Sequence, residues 1–200
     1  MYVIGGDIAE GLPHGDFTSL DVVEQLSGEQ VAQWHGNIHP EQAGDLMAAM
    51  GKRYNLAWLV PERNNNGLTT VTRLVNLDYK RLYVENVVEH PPARPRKRYG
   101  FVTSSKTKPL MINQMVAELD DGTHGIKCKE TFGEMLTFKH HDDGKLGAIE
   151  GAWDDRVLSM ALASYARRVL PMPAIETRTP SHRPAGAHKS VKKGNWKGHT

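Results

Sequence analysis

Asp7 breaks the pattern of its own surroundings. The stretch VIGGDIAEG runs from apolar and small residues straight into a carboxylate, where a buried strand ordinarily carries none. Glu62 repeats the theme, following the apolar run LAWLV and Pro61. A third acidic point is the pair Asp154 and Asp155, which heads the amphipathic stretch DDRVLSMALASYARRVL. Carboxylates brought together repel one another in a low-dielectric site, so such a group persists only with protons or cations. Hard divalent cations with oxygen ligands, Mg²⁺ or Mn²⁺, are the natural neutraliser. Two such ions about 4 Å apart can activate a water and stabilise the leaving oxygen in phosphodiester hydrolysis. Each acid alone also has a plainer reading. Asp7 can be an edge position, Glu62 a solvent-facing strand exit, and the aspartate pair a helix N-cap with a favourable dipole. Their joint placement is what carries weight, and that depends on the elements.

The first third alternates like a sheet. YVIGGDIA, FTSLDVVEQL and EQVAQWHG read as three strands joined by the turn-rich GLPHGD and by Ser27-Gly28. Pro40 then opens a helix over residues 40–55, with Ala43, Leu46, Met47 and Met50 on one face. LAWLV is a short continuous apolar run, the mark of a strand buried on both faces. A helix over 64–77 and a fifth strand over 81–85 follow. HPPARPRKRYGFVTSSKTKP cannot be helical because of its prolines. LMINQMVAEL and KETFGEMLTF read as helices, HHDDGKLGAIEG as a hairpin around Asp143-Gly144, and residues 154–170 as a last helix. The order is β-β-β-α-β-α-β, then an insertion, then a helix. It predicts an α/β fold of the ribonuclease H-like kind, a mixed sheet with three antiparallel strands, then parallel strands, and helices on both faces. In that topology the first and fourth strands are parallel neighbours. Asp7 and Glu62 then share the carboxyl edge of the sheet, where ligand sites of open α/β sheets form, and the last helix can deliver Asp154 and Asp155 beside them.

A hydrophobic fraction of 39% against 24% charged residues supports a packed core. The single cysteine, Cys128, excludes an internal disulfide and any Cys-rich zinc site, and fits a reducing compartment. No apolar run is long enough to span a membrane and no secretory signal opens the chain. Six of the 25 basic residues and none of the 23 acids fall in residues 178–200, so the rest of the chain is net acidic. The expected organisation is a nuclease-like domain over 1–172 and a basic, flexible tail over 173–200 that supplies non-specific attraction to a polyanion.

Four pieces in order, GDIAEGLPHGDFTS, VPERNNNG, YGFVTSSKTKPLMI and WDDRVLSMALA, resemble the nuclease domain of the large terminase subunit of tailed bacteriophages. The resemblance covers roughly residues 2–166. It implies a ribonuclease H-like domain that cuts concatemeric double-stranded DNA during viral genome packaging in the host cytoplasm, with Mg²⁺ or Mn²⁺ at a carboxylate site. By the resemblance Asp7 is the first-strand metal ligand, Glu62 the acid of an E-x-N motif, and Asp154 and Asp155 the pair opening the final helix, Asp155 being the more direct ligand. Asp16 matches a further acid that assists a second ion; it also suits a hairpin turn. That family often has His-Asp-Asp here, whereas this chain has Trp153 before the pair, which removes a possible imidazole. No G-x-x-x-x-G-K-[ST] loop occurs, so an ATPase motor is not encoded in this chain, and the resemblance implies a terminase ATPase domain, a small terminase subunit and a portal as partners.

Asn64, with Asn65, Asn66 and Gly67, is placed to contact a phosphate or simply to start a helix. Lys106 resembles a basic position near the cleavage site, and Arg94, Arg96, Lys97 and Arg98 form a basic loop or hairpin suited to tracking the DNA backbone. HHDDG is a decoy, because adjacent strand residues point to opposite faces and Asp-Gly is a turn. His35 and His39 are four apart, but Pro40 starts the helix only after His39, so they do not form a helical pair. Two alternatives stand beside the main reading: another ribonuclease H-like nuclease of the resolvase or transposase type, and a basic-tailed DNA-binding module whose acids are structural.

Overall fold

Short turns and a glycine pair set the first sheet. The computed structural model describes residues 1–87 and 94–172, so the tail expected over 173–200 lies outside the described residues. β1 (Tyr2–Asp7), β2 (Thr18–Glu24) and β3 (Gln30–Gly36) form the expected antiparallel meander. Gly28 turns β2 into β3 at φ +77°, and the Ser27 N–H closes the turn on Glu24 Oε2 at 2.7 Å. α1 (Pro40–Arg53) starts at Pro40, capped by His39, whose Nδ1 accepts the Glu41 N–H at 3.4 Å. It returns the chain to β4 (Trp58–Pro61), which runs parallel to β1 with Val3 opposite Trp58 and Gly6 opposite Pro61. The strand order is β3-β2-β1-β4.

The remaining elements are α2 (Gly67–Asn76), β5 (Val84–Val87), β6 (Arg96–Tyr99), α3 (Thr107–Asp120), α4 (Lys129–Met135), β7 (Phe138–His140), β8 (Leu146–Ala148) and α5 (Asp155–Val169). The fifth strand departs from expectation. Leu82 makes only an isolated parallel bridge to Leu59, and from Val84 the chain leaves the sheet to pair with β6 in a separate hairpin. The reason is polarity: β5 alternates exposed and half-buried positions, and its partner strand is Arg96-Lys97-Arg98-Tyr99. Such a ribbon cannot be buried against a helix layer. β7 and β8 form the hairpin read around Asp143-Gly144.

Strand alternation divides the core. Val3, Val23 and Val60 point to one face, where they pack with Met111, Met115, Met160 and Leu162 of α3 and α5. Ile4, Leu20, Val22 and Leu59 point to the other, against Ala43, Met47 and Leu74 of α1 and α2. Helices therefore cover both faces, and the architecture is the ribonuclease H-like one.

The glycine pair in front of Asp7 has a packing task. A Cβ on Gly5 would stand 2.3 Å from the Ser159 carbonyl oxygen and 2.7 Å from the Ala163 nitrogen, so α5 crosses β1 at backbone contact distance. Two buried polar groups then hold α5 in place. Asp21 Oδ1 accepts from Gln30 Nε2 at 2.5 Å and Gln33 Nε2 at 3.0 Å, and its Oδ2 accepts from Ser159 Oγ at 2.5 Å. Glu118 accepts from Ser164 Oγ at 2.6 Å and from Arg167 and Arg168 at 2.8 Å. Burial pushes the Asp21 carboxyl up to about 6, against the pull of its three hydrogen bonds.

Gly5→Ala forces α5 away from β1 and should cost about 1–3 kcal/mol or more in a denaturant titration. The folded state binds the Asp21 proton more tightly than the unfolded chain does, because its folded value of about 6 exceeds the reference 3.8. Stability through this group therefore falls as pH rises from about 4 to about 6. Asp21→Asn keeps an oxygen for the two glutamines and should flatten that part of a melting-temperature-against-pH curve, whereas Asp21→Ala strands their amides and should cost about 1–3 kcal/mol.

Candidate active site

Because β1 and β4 are parallel neighbours, their carboxyl ends open onto one edge. Asp7 is the last residue of β1, and Glu62 follows β4, its N–H donating to the Gly6 carbonyl at 2.7 Å. α5, which packs across the sheet, starts at the same edge. The result is a cavity of about 590 Å³ lined by Asp7, Asp16, Glu62, Asn64, Asp154 and Asp155. Every acid singled out in the sequence reaches it.

The electrostatics follow from crowding. Burial holds the Asp7 carboxyl well above the usual carboxylate range, with the Glu62 charge, a hydrogen bond to Glu62, and the Asp155 and Asp154 charges acting in the same direction. Burial likewise pushes Asp155 up to about 7, helped by Glu134, Asp154 and Asp16 and opposed by the Phe17 N–H. Asp155 is 6% exposed, and its Oδ2 finds no hydrogen-bond partner among the described residues. Asp154 occupies the N-cap position of α5 but makes no side-chain cap bond; it faces Lys108 Nζ at 3.6 Å. Asp16 lies in the loop before β2.

This donor set suits a hard divalent cation: carboxylate oxygens from three separate segments, with the Asp7 and Asp155 carboxyls pushed up by burial and by the acids beside them. Among the described residues no three His, Cys, Asp or Glu side chains already stand in metal-holding geometry. Asp7 is instead hydrogen-bonded to Glu62, and Asp154 is ion-paired with Lys108. Among the described residues HHDDG makes hairpin bonds, His141 Nε2 with the Ala148 carbonyl at 3.0 Å and Asp143 Oδ1 with the Lys145 N–H at 3.0 Å.

The residues expected to meet DNA divide. Arg94, Arg96 and Lys97 are exposed on the hairpin, whose β6 leads through Gly100 to Phe101, bridged to Glu62. Lys106 is exposed at the N-cap of α3. Arg98 is committed to Glu85, with its Nε at 3.2 Å from Oε2. Asn64 is likewise occupied, its Nδ2 donating to Glu62 Oε1 at 3.1 Å and to the Thr103 carbonyl at 2.5 Å; it braces an acid and does not start the helix, since Asn66 holds the N-cap position of α2.

Two side chains at the site escape a reading of the sequence alone. Lys108, two residues beyond Lys106, is the lysine that reaches an acid, because α3 starts at Thr107 and its first turn faces the cavity edge. His35 Nε2 lies 3.8 Å from Asp155 Oδ2 and also lacks a hydrogen-bond partner among the described residues. Burial, with the Arg156 charge, pushes its imidazole down to about 4. The cross-strand register is the signal for it: Asp7 is opposite Ser19, and Ser19 is opposite His35.

No family model matches the sequence, and no curated protein does. Solved structures do share the fold. The large terminase nuclease from thermophilic phage G20c with bound magnesium is similar at a TM-score of 0.63 and 17% identity, covering 82% of this chain and 80% of that one. The same nuclease with bound cobalt gives 0.62 and 16% over the same shares, 82% and 80%. The Thermus phage P74-26 large terminase nuclease domain gives 0.59 and 19%, over 83% of this chain and 79% of that one. The chain thus has the ribonuclease H-like fold of the large terminase nuclease domains.

Proposed function

We propose that this chain is a divalent-metal-dependent endodeoxyribonuclease that cuts double-stranded DNA concatemers during viral genome packaging. The observation that carries the reading is the convergence of Asp7, Glu62, Asp154 and Asp155 from three segments on one cavity. Its fold likeness to terminase nucleases, solved with magnesium, cobalt or zinc bound, supports it. Asp7, Glu62, Asp155 and Asp154, with Asp16 assisting, would hold Mg²⁺ or Mn²⁺, in two sites. Bound there, such ions would supply counter-charge to the acids and Lewis acidity toward the scissile phosphate and a water.

The chain's own residues set up that reaction. Asn64 holds Glu62 in one orientation through its amide, bracing it against Thr103. Lys108 balances Asp154 and stands ready to meet a phosphate oxygen where the backbone enters. Lys106, Arg94, Arg96 and Lys97 supply phosphate contacts, which hold a duplex without reading its bases. Sequence preference, if the packaged genome demands it, then comes from a small terminase subunit, and translocation from a terminase ATPase domain working at a portal. The host cytoplasm is the setting that this role implies. Among the described residues no helix is long and apolar enough to cross a membrane.

Asp7→Asn should leave the fold intact, and because it removes mutual repulsion its melting temperature should not fall. Plasmid nicking in Mg²⁺ or Mn²⁺ should drop by about 10²-fold or more, equivalent to several kcal/mol of charge stabilisation; retained nicking removes Asp7 from the reaction. Arg94→Ala with Lys97→Ala should weaken duplex binding and lower the slope of log K against log salt by about 2, roughly 0.9 for each phosphate no longer neutralised. An unchanged slope takes the hairpin out of the DNA interface.

A further inference from the structure

The proposed reaction leaves His35 without a task, yet its position is tightly specified. Asp7, Ser19 and His35 are successive partners across β1, β2 and β3, and directly opposed residues share a face. That face is the one α5 covers, where the Ser159 and Ser19 hydroxyl oxygens stand 2.9 Å apart. Phe17 packs its ring on the imidazole at 4.8 Å between centroids, and Trp153, the residue before the acid pair, meets Phe17 edge-on at 5.5 Å. The imidazole is thus held by ring contacts with its Nε2 toward Asp155.

The gap between His35 Nε2 and Asp155 Oδ2 is 3.8 Å, beyond a hydrogen bond, and neither atom has another partner among the described residues. Leaving a buried donor and a buried acceptor both unmet costs roughly 1–3 kcal/mol for each group. Closing the gap by roughly 1 Å satisfies both together. Carboxylates that hold metals are themselves hydrogen-bonded from behind, and removal of such a partner typically weakens metal binding or activity about 10–100-fold.

We infer that His35 is a positioning residue for the metal site: its Nε2 fixes one oxygen of Asp155 from β3, so that the carboxylate is set to hold a divalent cation. This rests on the reading of Asp155 as a metal-holding acid. His35 touches neither substrate nor the reacting phosphate; it acts through Asp155.

The test uses the full chain and Mn²⁺ as probe, with two variants. His35→Phe keeps a ring against Phe17 and removes the nitrogen, whereas His35→Gln restores a donor. By isothermal titration without DNA, His35→Phe should bind Mn²⁺ about 10–100-fold more weakly, and the Mn²⁺ needed for half-maximal nicking should rise to match. KM for DNA should stay within about twofold, since every basic side chain that faces the DNA backbone is kept, and His35→Gln should recover most of the Mn²⁺ affinity. A role in packing alone would lower the melting temperature and leave Mn²⁺ affinity unmoved, which overturns the inference. Equal defects in the Phe and Gln variants overturn it too. Should His35→Phe fail to fold, His35→Leu, which also removes the nitrogen, decides the matter in the wild-type and Asp155→Asn backgrounds: weaker Mn²⁺ binding in the first with no added weakening in the second supports the coupling, and equal weakening in both contradicts it. Wild-type protein that binds Mn²⁺ in this His35-dependent way but cuts no DNA retains the positioning role while sinking the nuclease reading. Wild-type protein that binds no Mn²⁺ sinks the positioning role itself.

Discussion

Repulsion between carboxylates governs this molecule. Asp7 and Asp155 both carry carboxyls pushed up by burial and by the acids around them, Glu62 foremost among those acting on Asp7. A fold does not collect acids at a sheet edge for stability, since each one raises the cost of ionising its neighbours. The arrangement makes physical sense once a counter-charge belongs to the site. The surrounding features then serve one end: Asn64 braces Glu62, Lys108 offsets Asp154, and His35 stands behind Asp155.

Positioning those acids demands close backbone approach. α5 must lie directly on β1 for its first turn to reach the edge where Asp7 ends, and only a residue without a Cβ at position 5 allows it. Gly5 of VIGGD is therefore as much a part of the site as Asp7. Asp21 and Glu118 secure the same helix from inside, one near its start through Ser159 and the other along its length through Ser164 and Arg167. Buried polar groups of this kind fix one helix placement where an apolar surface would permit several.

How much of this can be read from the sequence follows from which signals are local. Asp7 and Glu62 are legible because a carboxylate beside a buried run is anomalous, and the β-β-β-α-β order makes their strands parallel neighbours. The hairpin at Asp143-Gly144 is legible from turn chemistry, and the last helix from its period. The fifth strand is not, because RLYVE carries an apolar pattern while its pairing is decided by the charged segment after it. Nor are Lys108 and His35. Lys106 and Lys108 are alike in sequence, and only the start of α3 at Thr107 decides which one faces Asp154. His35 needs the register of two hairpin turns. Asn64 reads as a phosphate contact or a helix start, but its amide is engaged by Glu62 and Thr103, a pairing that only the bridge between Glu62 and Phe101 reveals.

The most direct test of the account is crystallographic: anomalous diffraction at the manganese edge from crystals soaked in Mn²⁺. The account predicts anomalous density bounded by Asp7, Glu62 and Asp155, with the Asp7–Glu62 hydrogen bond broken to admit it. Density absent from that cavity at saturating Mn²⁺, with the Asp7–Glu62 bond intact, would show that the acids gather there for some other reason.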